Sequence, residues 1–171
     1  NNALSYIQFN ASLIYQPINA FTISLNPNFA INKNNTQYVT QTSFSNEQRY
    51  ITAYLEQKTL SASIRLDYSI NPNLTIQYYG QPFISNGKYK NFNRVTKPKA
   101  KYYGDRIEMF DTKQISFDPI KNIYSIDEEA NSTIDYTIDN PNFSYVQFRS
   151  NLVMRWEYLP GSEIFLVWSQ G

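Results

Sequence analysis

The sequence predicts an all-β fold, in which antiparallel up-and-down strands form part of a transmembrane β-barrel with about six spanning strands and long outer loops. Three observations lead there. Polar and apolar residues alternate with a period of two over long stretches, the connections between those stretches alternate short and long, and no run of ~18 apolar residues exists to make a spanning helix.

The alternation is clearest from Thr59 to Ile70. Thr59, Ser61, Ser63, Arg65, Asp67 and Ser69 are polar, while Leu60, Ala62, Ile64, Leu66, Tyr68 and Ile70 are apolar or small. A strand sends successive side chains to opposite faces, so this is one strand with a wet face and a greasy face. Asn71-Pro72-Asn73 is a turn by composition. Leu74, Ile76 and Tyr78 then resume the apolar row against Thr75 and Gln77, in a strand predicted to run to about Ile84 and to stop at Ser85-Asn86-Gly87-Lys88.

Upstream, Ser5 to Tyr15 reads as one strand, Gln16-Pro17-Ile18-Asn19 as a short turn, and Phe21 to Ile31 as a second alternating strand. Pro27 has no N–H to give to a ladder, which predicts a bulge or an edge. Thr36 to Phe44 is β-prone, Ser45-Asn46-Glu47-Gln48 reads as a turn, and Arg49 to Gln57 leads into Thr59. Pairing Phe44 with Arg49 would set Ile23 opposite Ile70, Leu25 opposite Tyr68 and Phe29 opposite Ile64, apolar against apolar. Such strands exceed the ~9–11 residues that cross a bilayer, so the surplus is expected to project into water as a ribbon.

Downstream, Gly87 to Asn142 is richer in proline and charge. Short β-like runs at Gln114–Phe117, Ile123–Ile126 and Ile134–Ile138 predict a long extracellular loop region with small hairpins. Val146, Phe148, Ser150, Leu152, Met154, Trp156 and Tyr158 then form another apolar row, and Leu159-Pro160-Gly161-Ser162 is a Pro-Gly turn. Ile164 to Trp168 is apolar on both faces, which leaves its orientation open.

All short turns fall at one end of this order and all long connections at the other, as in outer-membrane barrels. Tyr15, Phe21, Tyr68, Trp156 and Tyr158 lie beside the short turns, where an aromatic girdle belongs. Arg65, Asp67, Arg149, Arg155 and Glu157 lie on the polar faces and are expected to line a lumen, as an ion-pair network or a selectivity ring. The triplet Asp127-Glu128-Glu129 reads as a solvated loop tip. Tyr102, Tyr103 and Tyr124 could either stack on sugars or pack within the loop.

Composition narrows the chemistry. The net charge of +1 gives no reason to expect nucleic acid. With neither cysteine nor histidine, the chain lacks disulfides, thiolate nucleophiles and the usual zinc ligands, and no catalytic residue, metal site or cofactor is read from it. Asn1-Asn2-Ala3-Leu4 has neither the basic start nor the apolar core of an export signal, so the 171 residues are expected to be one barrel segment of a longer exported chain.

Two blocks carry more than pattern. Thr59 to Tyr89 and Asn140 to Gln170, above all Gln81-Pro82-Phe83, Arg155-Trp156-Glu157-Tyr158 and Pro160-Gly161-Ser162, resemble the C-terminal barrel of a Bacteroidetes outer-membrane family. Members of that family carry a family-9-like carbohydrate-binding domain ahead of a barrel of unknown function. The resemblance implies a bacterial outer-membrane location, outer-membrane lipid and other surface proteins as partners, and glycan binding through segments outside this chain. The expected role is non-enzymatic surface binding, uptake or assembly. Two alternatives stand beside it: a soluble carbohydrate-binding β-sandwich, and a surface hydrolase using loop carboxylates such as Asp105, Glu108, Asp127 and Glu128.

Overall fold

Each long alternating stretch is an extended strand in the computed structural model, which describes residues 3–171. Asn1 and Asn2, which begin the stretch read for an export signal, lie outside the described residues. The strands are β1 (Leu4–Asn10), β2 (Leu13–Ile18), β3 (Phe21–Phe44), β4 (Glu47–Asn71), β5 (Leu74–Val95), β6 (Ile107–Met109), β7 (Ile115–Asp118), β8 (Ile123–Ile126), β9 (Tyr136–Asp139), β10 (Phe143–Leu159) and β11 (Ser162–Gln170). Among the described residues one 3-10 turn, Tyr103–Asp105, interrupts the β structure. The protein is therefore all-β with antiparallel sheets, as predicted. One sheet has the order β1-β3-β4-β5-β10-β11, with β2 also on β3 and β6 on β5; the other is β7-β8-β9. Among the described residues the larger sheet does not close on itself: β1 with β2, and β11, are its edges.

Turn chemistry explains where the strands reverse. Ser45 and Asn46 both adopt left-handed backbone, φ 52° and 62°, which a two-residue hairpin turn requires. Phe44 therefore faces Glu47 rather than Arg49. At the far end of β3 the Ser69 N–H donates to Ala20 O at 2.8 Å. The expected pairings of Ile23, Leu25 and Phe29 with Ile70, Tyr68 and Ile64 are thus displaced, by an even number of residues that keeps apolar opposite apolar. Asn71 Oδ1 accepts from the Asn73 N–H at 2.9 Å and closes the next turn. Pro160 and Gly161 (φ 77°) make the last one, with Leu159 opposite Ser162.

Other boundaries differ from the sequence reading. The first strand is split at Ala11-Ser12, and the Ala11 N–H donates to Pro27 O at 3.1 Å, so the irregularity expected at Pro27 falls on its neighbour, while β3 itself is internal to the sheet. The first turn is Asn19-Ala20, with Ile18 opposite Phe21. Gln16 and Pro17 occupy a register shift, where a missing N–H does little harm. β5 does not stop at Gly87 but runs to Val95. Gly87 is there for room rather than for a turn: a Cβ on it would lie 2.2 Å from Phe143 Cε1, so the Phe143 ring lies across the bare backbone.

The chain divides into two compact units. The first comprises residues 3–5, Asn32–Gln57 and Gly87–Phe143. Its core is Ile51, Ala53, Phe92, Phe110, Ile126, Tyr136 and Ile138, all buried, with Val39, Phe44, Tyr89, Ile115 and Tyr124 packed around them. Period two explains the choice: Ile51, Ala53 and Leu55 share one face of β4, and Tyr136 and Ile138 share one face of β9. Burying each such isoleucine contributes roughly 1.5–3 kcal/mol. The rings of Phe92, Tyr124 and Phe117 follow one another at 4.6 and 4.8 Å between centroids.

The second unit comprises Tyr6–Ile31, Lys58–Asn86 and Ser144–Gly171. It contributes no residue to that core, and Leu60, Ile64, Leu66, Leu152 and Met154 are not buried; Leu60 is 51% exposed. The β10–β11 register orients the run that sequence left open. Trp168, Leu166 and Ile164 stand opposite Leu152, Met154 and Trp156 and share their face. Val167 and Phe165 stand opposite Val153 and Arg155 on the other face, which elsewhere in this unit is polar: Asn26 donates to Ser63 at 3.3 Å, and the Thr59 and Ser85 hydroxyls meet at 3.0 Å.

Candidate functional site

On the polar face of the second unit, period two sets Arg65 beside Asp67 on β4, Gln77 beside Tyr79 on β5, and Asn151 beside Val153 on β10. Together they line a shallow concavity of about 220 Å³. The Arg65 guanidinium lies 5.9 Å from the centre of the Tyr79 ring, a cation–π arrangement. Arg155 and Glu157 form a separate group with Glu163. Arg155 Nε donates to Glu163 Oε1 at 2.9 Å, and Arg155 Nη2 lies 3.7 Å from Glu157. Glu157 and Glu163 are directly opposite across the hairpin, a repulsive pairing that Arg155 offsets from between them. Glu157 Oε1 also accepts the Gly161 N–H at 2.9 Å, bracing the turn. Arg149 is exposed and belongs to neither group.

Glu163 was not among the residues read from sequence. Counting outward from Pro160-Gly161 as a two-residue turn sets Glu163 opposite Tyr158, and only the register shift between Glu157 and Leu159 brings it opposite Glu157, so no local signal reveals the pair.

The five aromatic positions beside the short turns fall into two contacts and a single. Phe21 and Tyr68 meet edge to face with centroids 5.7 Å apart, Trp156 and Tyr158 lie 6.1 Å apart, and Tyr15, opposite Ile23, is exposed. All five present ring to solvent or to one another rather than to a buried core.

In the first unit the acid triplet is a solvated tip only in part: Glu129 is exposed and Asp127 half-buried, but Glu128 is buried. The Glu128 side chain is only 3% exposed and sits between Arg49 of β4 and Arg94 of β5. Arg49 Nε donates to both its oxygens, at 2.9 and 3.2 Å, Arg94 Nη1 donates to Oε1, and the Tyr136 hydroxyl donates to Oε2 at 2.9 Å. A buried carboxylate needs this many donors to offset its lost hydration. The outer bonds of the arginines go to Glu47 at 2.8 Å and to Glu108 at 2.7 Å, which makes Glu108 an ion-pair partner of Arg94. Burial raises the Tyr136 phenol above its usual range; Arg94 and Arg49 pull it down, and Asp135 pushes it up. The neighbouring Asp127 shapes the loop, taking the Asn131 and Ser132 N–H groups at 3.0 and 2.6 Å where Ala130 and Ser132 turn left-handed.

The same unit holds a larger concavity of about 730 Å³. Its lining includes Asn35, Tyr54, Asn91, Asn93, Tyr102 and Tyr103, together with Gly104 and Met109. Tyr102 and Tyr103, singled out from sequence, are thus brought together with Tyr54. Tyr124 instead packs against the core. Among the described residues no three His, Cys, Asp or Glu side chains are grouped to hold a metal ion.

Fold and sites together define an all-β protein of long antiparallel strands that combines a cored unit with a single-layer unit, apolar on one face and largely polar on the other. The chain belongs to the family described as a domain of unknown function (DUF5916), whose model matches residues 1–171. No curated protein and no solved structure matches it.

Proposed function

We propose that the chain is a segment of a bacterial outer-membrane β-barrel whose role is surface binding, uptake or assembly rather than catalysis. The observation that carries this reading is the apolar face of the second unit: Leu60, Leu166 and Trp168 are 51%, 55% and 49% exposed, with no second layer over them among the described residues. A soluble protein rarely leaves so continuous an apolar surface open to water. Hydrocarbon would cover it at no cost, and the opposite face would then line an enclosed interior. Tyr15, Phe21, Tyr68, Trp156 and Tyr158 fit the interfacial belt of such a barrel, and Arg65, Asp67, Arg155 and Glu157 fit its lumen. This reading requires further strands beside the two sheet edges left open among the described residues, since the smallest such barrels have about eight. The likeness of Thr59–Tyr89 and Asn140–Gln170 to a Bacteroidetes barrel that follows a carbohydrate-binding domain supports the same location.

Extraction tests the reading. Washed membranes should retain the protein through high salt and carbonate and release it into detergent. Recovery in detergent-free buffer as a monodisperse species would overturn it.

A further inference from the structure

We propose that the concavity of the first unit lined by Tyr54, Tyr102, Tyr103, Asn91, Asn93 and Met109 binds a neutral saccharide. At about 730 Å³ it falls within the ~300–1,000 Å³ of small-molecule sites. Its lining residues carry no formal charge, so the recognition they offer is stacking and hydrogen bonding rather than ion pairing.

A pyranose ring has two kinds of surface: a patch of C–H groups on each face, and a rim of hydroxyls that donate and accept at close spacing. The tyrosines match the first, because an aromatic face is electron-rich and attracts polarised C–H groups. Tyr102 is 67% exposed, and the Tyr103 hydroxyl is anchored to Asn35 O at 3.3 Å, which fixes that ring without burying it. Asparagine matches the second, since one amide presents a donor pair and an acceptor side by side. Asn93 is 5% exposed and gives its Nδ2 to Asn91 O at 2.9 Å, which fixes its amide in the lining of the concavity. Asn91 has a left-handed backbone, φ 54°, a conformation asparagine adopts more readily than other side-chain-bearing residues. Lys90 Nζ lies over the Tyr54 ring at 4.9 Å and Lys101 Nζ over the Tyr102 ring at 5.5 Å, cation–π contacts that a sugar stacking on those faces would displace. An apolar peptide segment would fill the same volume but would cover the exposed Asn91 side chain with apolar atoms.

This site deepens the surface-binding reading and rests on it only for the exposure of the first unit. The test is calorimetric titration of the full chain in polyoxyethylene micelles, a detergent without a sugar headgroup, with cello-, xylo-, malto- and laminari-hexaose. Saturable binding of at least one is expected, little changed by salt. Replacing both Tyr102 and Tyr103 by Ala should weaken it at least about tenfold, and replacing both by Phe should restore it. Gly104→Phe should abolish it, because no atom lies within 4 Å of where a Cβ would stand, so the new ring enters open space in the concavity rather than the core. Silence with all four sugars, or binding indifferent to the alanine and Gly104→Phe variants, would overturn the proposal. Binding by a protein that stays in solution without detergent would uphold this site and sink the membrane reading.

Discussion

Arg49 Nε donates to both carboxylate oxygens of Glu128, although the two residues lie 79 positions apart in the chain. With Arg94 and Tyr136 this bond fastens the segment between β8 and β9 to the long strands β4 and β5. Removing one partner of such a buried group leaves the opposite charges uncompensated, so Glu128→Ala should cost about 3–5 kcal/mol. Glu47→Ala, which removes the 74%-exposed outer partner of Arg49, should cost about 1 kcal/mol or less. Denaturant titration followed by tyrosine fluorescence distinguishes the two.

Alkaline pH should loosen the same cluster. Tyr136 is raised from its ordinary value of 10.0 mainly by burial, so the folded state holds its proton more tightly than the unfolded chain does. Its contribution is fully present below pH 10.0 and is lost as pH climbs through the higher folded value. Tyr136→Phe removes both the titration and the hydrogen bond to Glu128, so this variant should be less stable at neutral pH and show a flatter decline above pH 10.0. Melting temperatures of both proteins across the alkaline range provide the check.

Gly87→Ala should be destabilising because its Cβ would stand 2.2 Å from Phe143 Cε1. The ring must swing away from a strand it now covers, at a cost of about 1–3 kcal/mol. In a Phe143→Ala background the same change should cost nearly nothing. A double-mutant cycle reads the difference as coupling; independence of the two sites would show that the ring does not need the bare backbone.

Leu152→Arg and Val153→Arg place one charge on either face of β10. If the Leu152 face meets hydrocarbon, the first change should cost about 2–4 kcal/mol and reduce assembly into lipid vesicles. Val153 stands beside Asn151 in the polar concavity, so the second change should assemble almost normally. Flotation of both variants with vesicles measures the contrast, and equal behaviour would remove the assignment of the two faces.

Much of the fold was legible in the sequence because strand and turn signals are local. Alternation at Thr59–Ile70 and the turns at Asn71-Pro72-Asn73 and Pro160-Gly161 marked the main strands, and the short runs near Ile115, Ile123 and Tyr136 appear as β7, β8 and β9. What sequence missed depends on distant partners. Gly87 looked like a turn residue because nothing nearby shows that a ring 56 residues later lies over it. Glu128 looked solvated within an acidic triplet because its arginines come from two other strands. The opposing Glu157–Glu163 pair needed a register that one shifted residue obscures. The polar-face residues, read from sequence as one set, are sorted by the structure into Arg65 with Asp67, and Arg155 with Glu157, and Arg149 joins neither.

The clasp around Glu128 also changes what a cut in the chain would mean. Lys121 lies exposed in the β7–β8 turn, where Asp118 Oδ1 accepts its N–H at 3.1 Å, and trypsin cleaving after it would sever β7 from β8. The halves would still share a β-ladder, a buried aromatic cluster and the two arginine bonds. A nicked molecule should migrate as two bands under denaturing conditions yet travel as one particle through a sizing column.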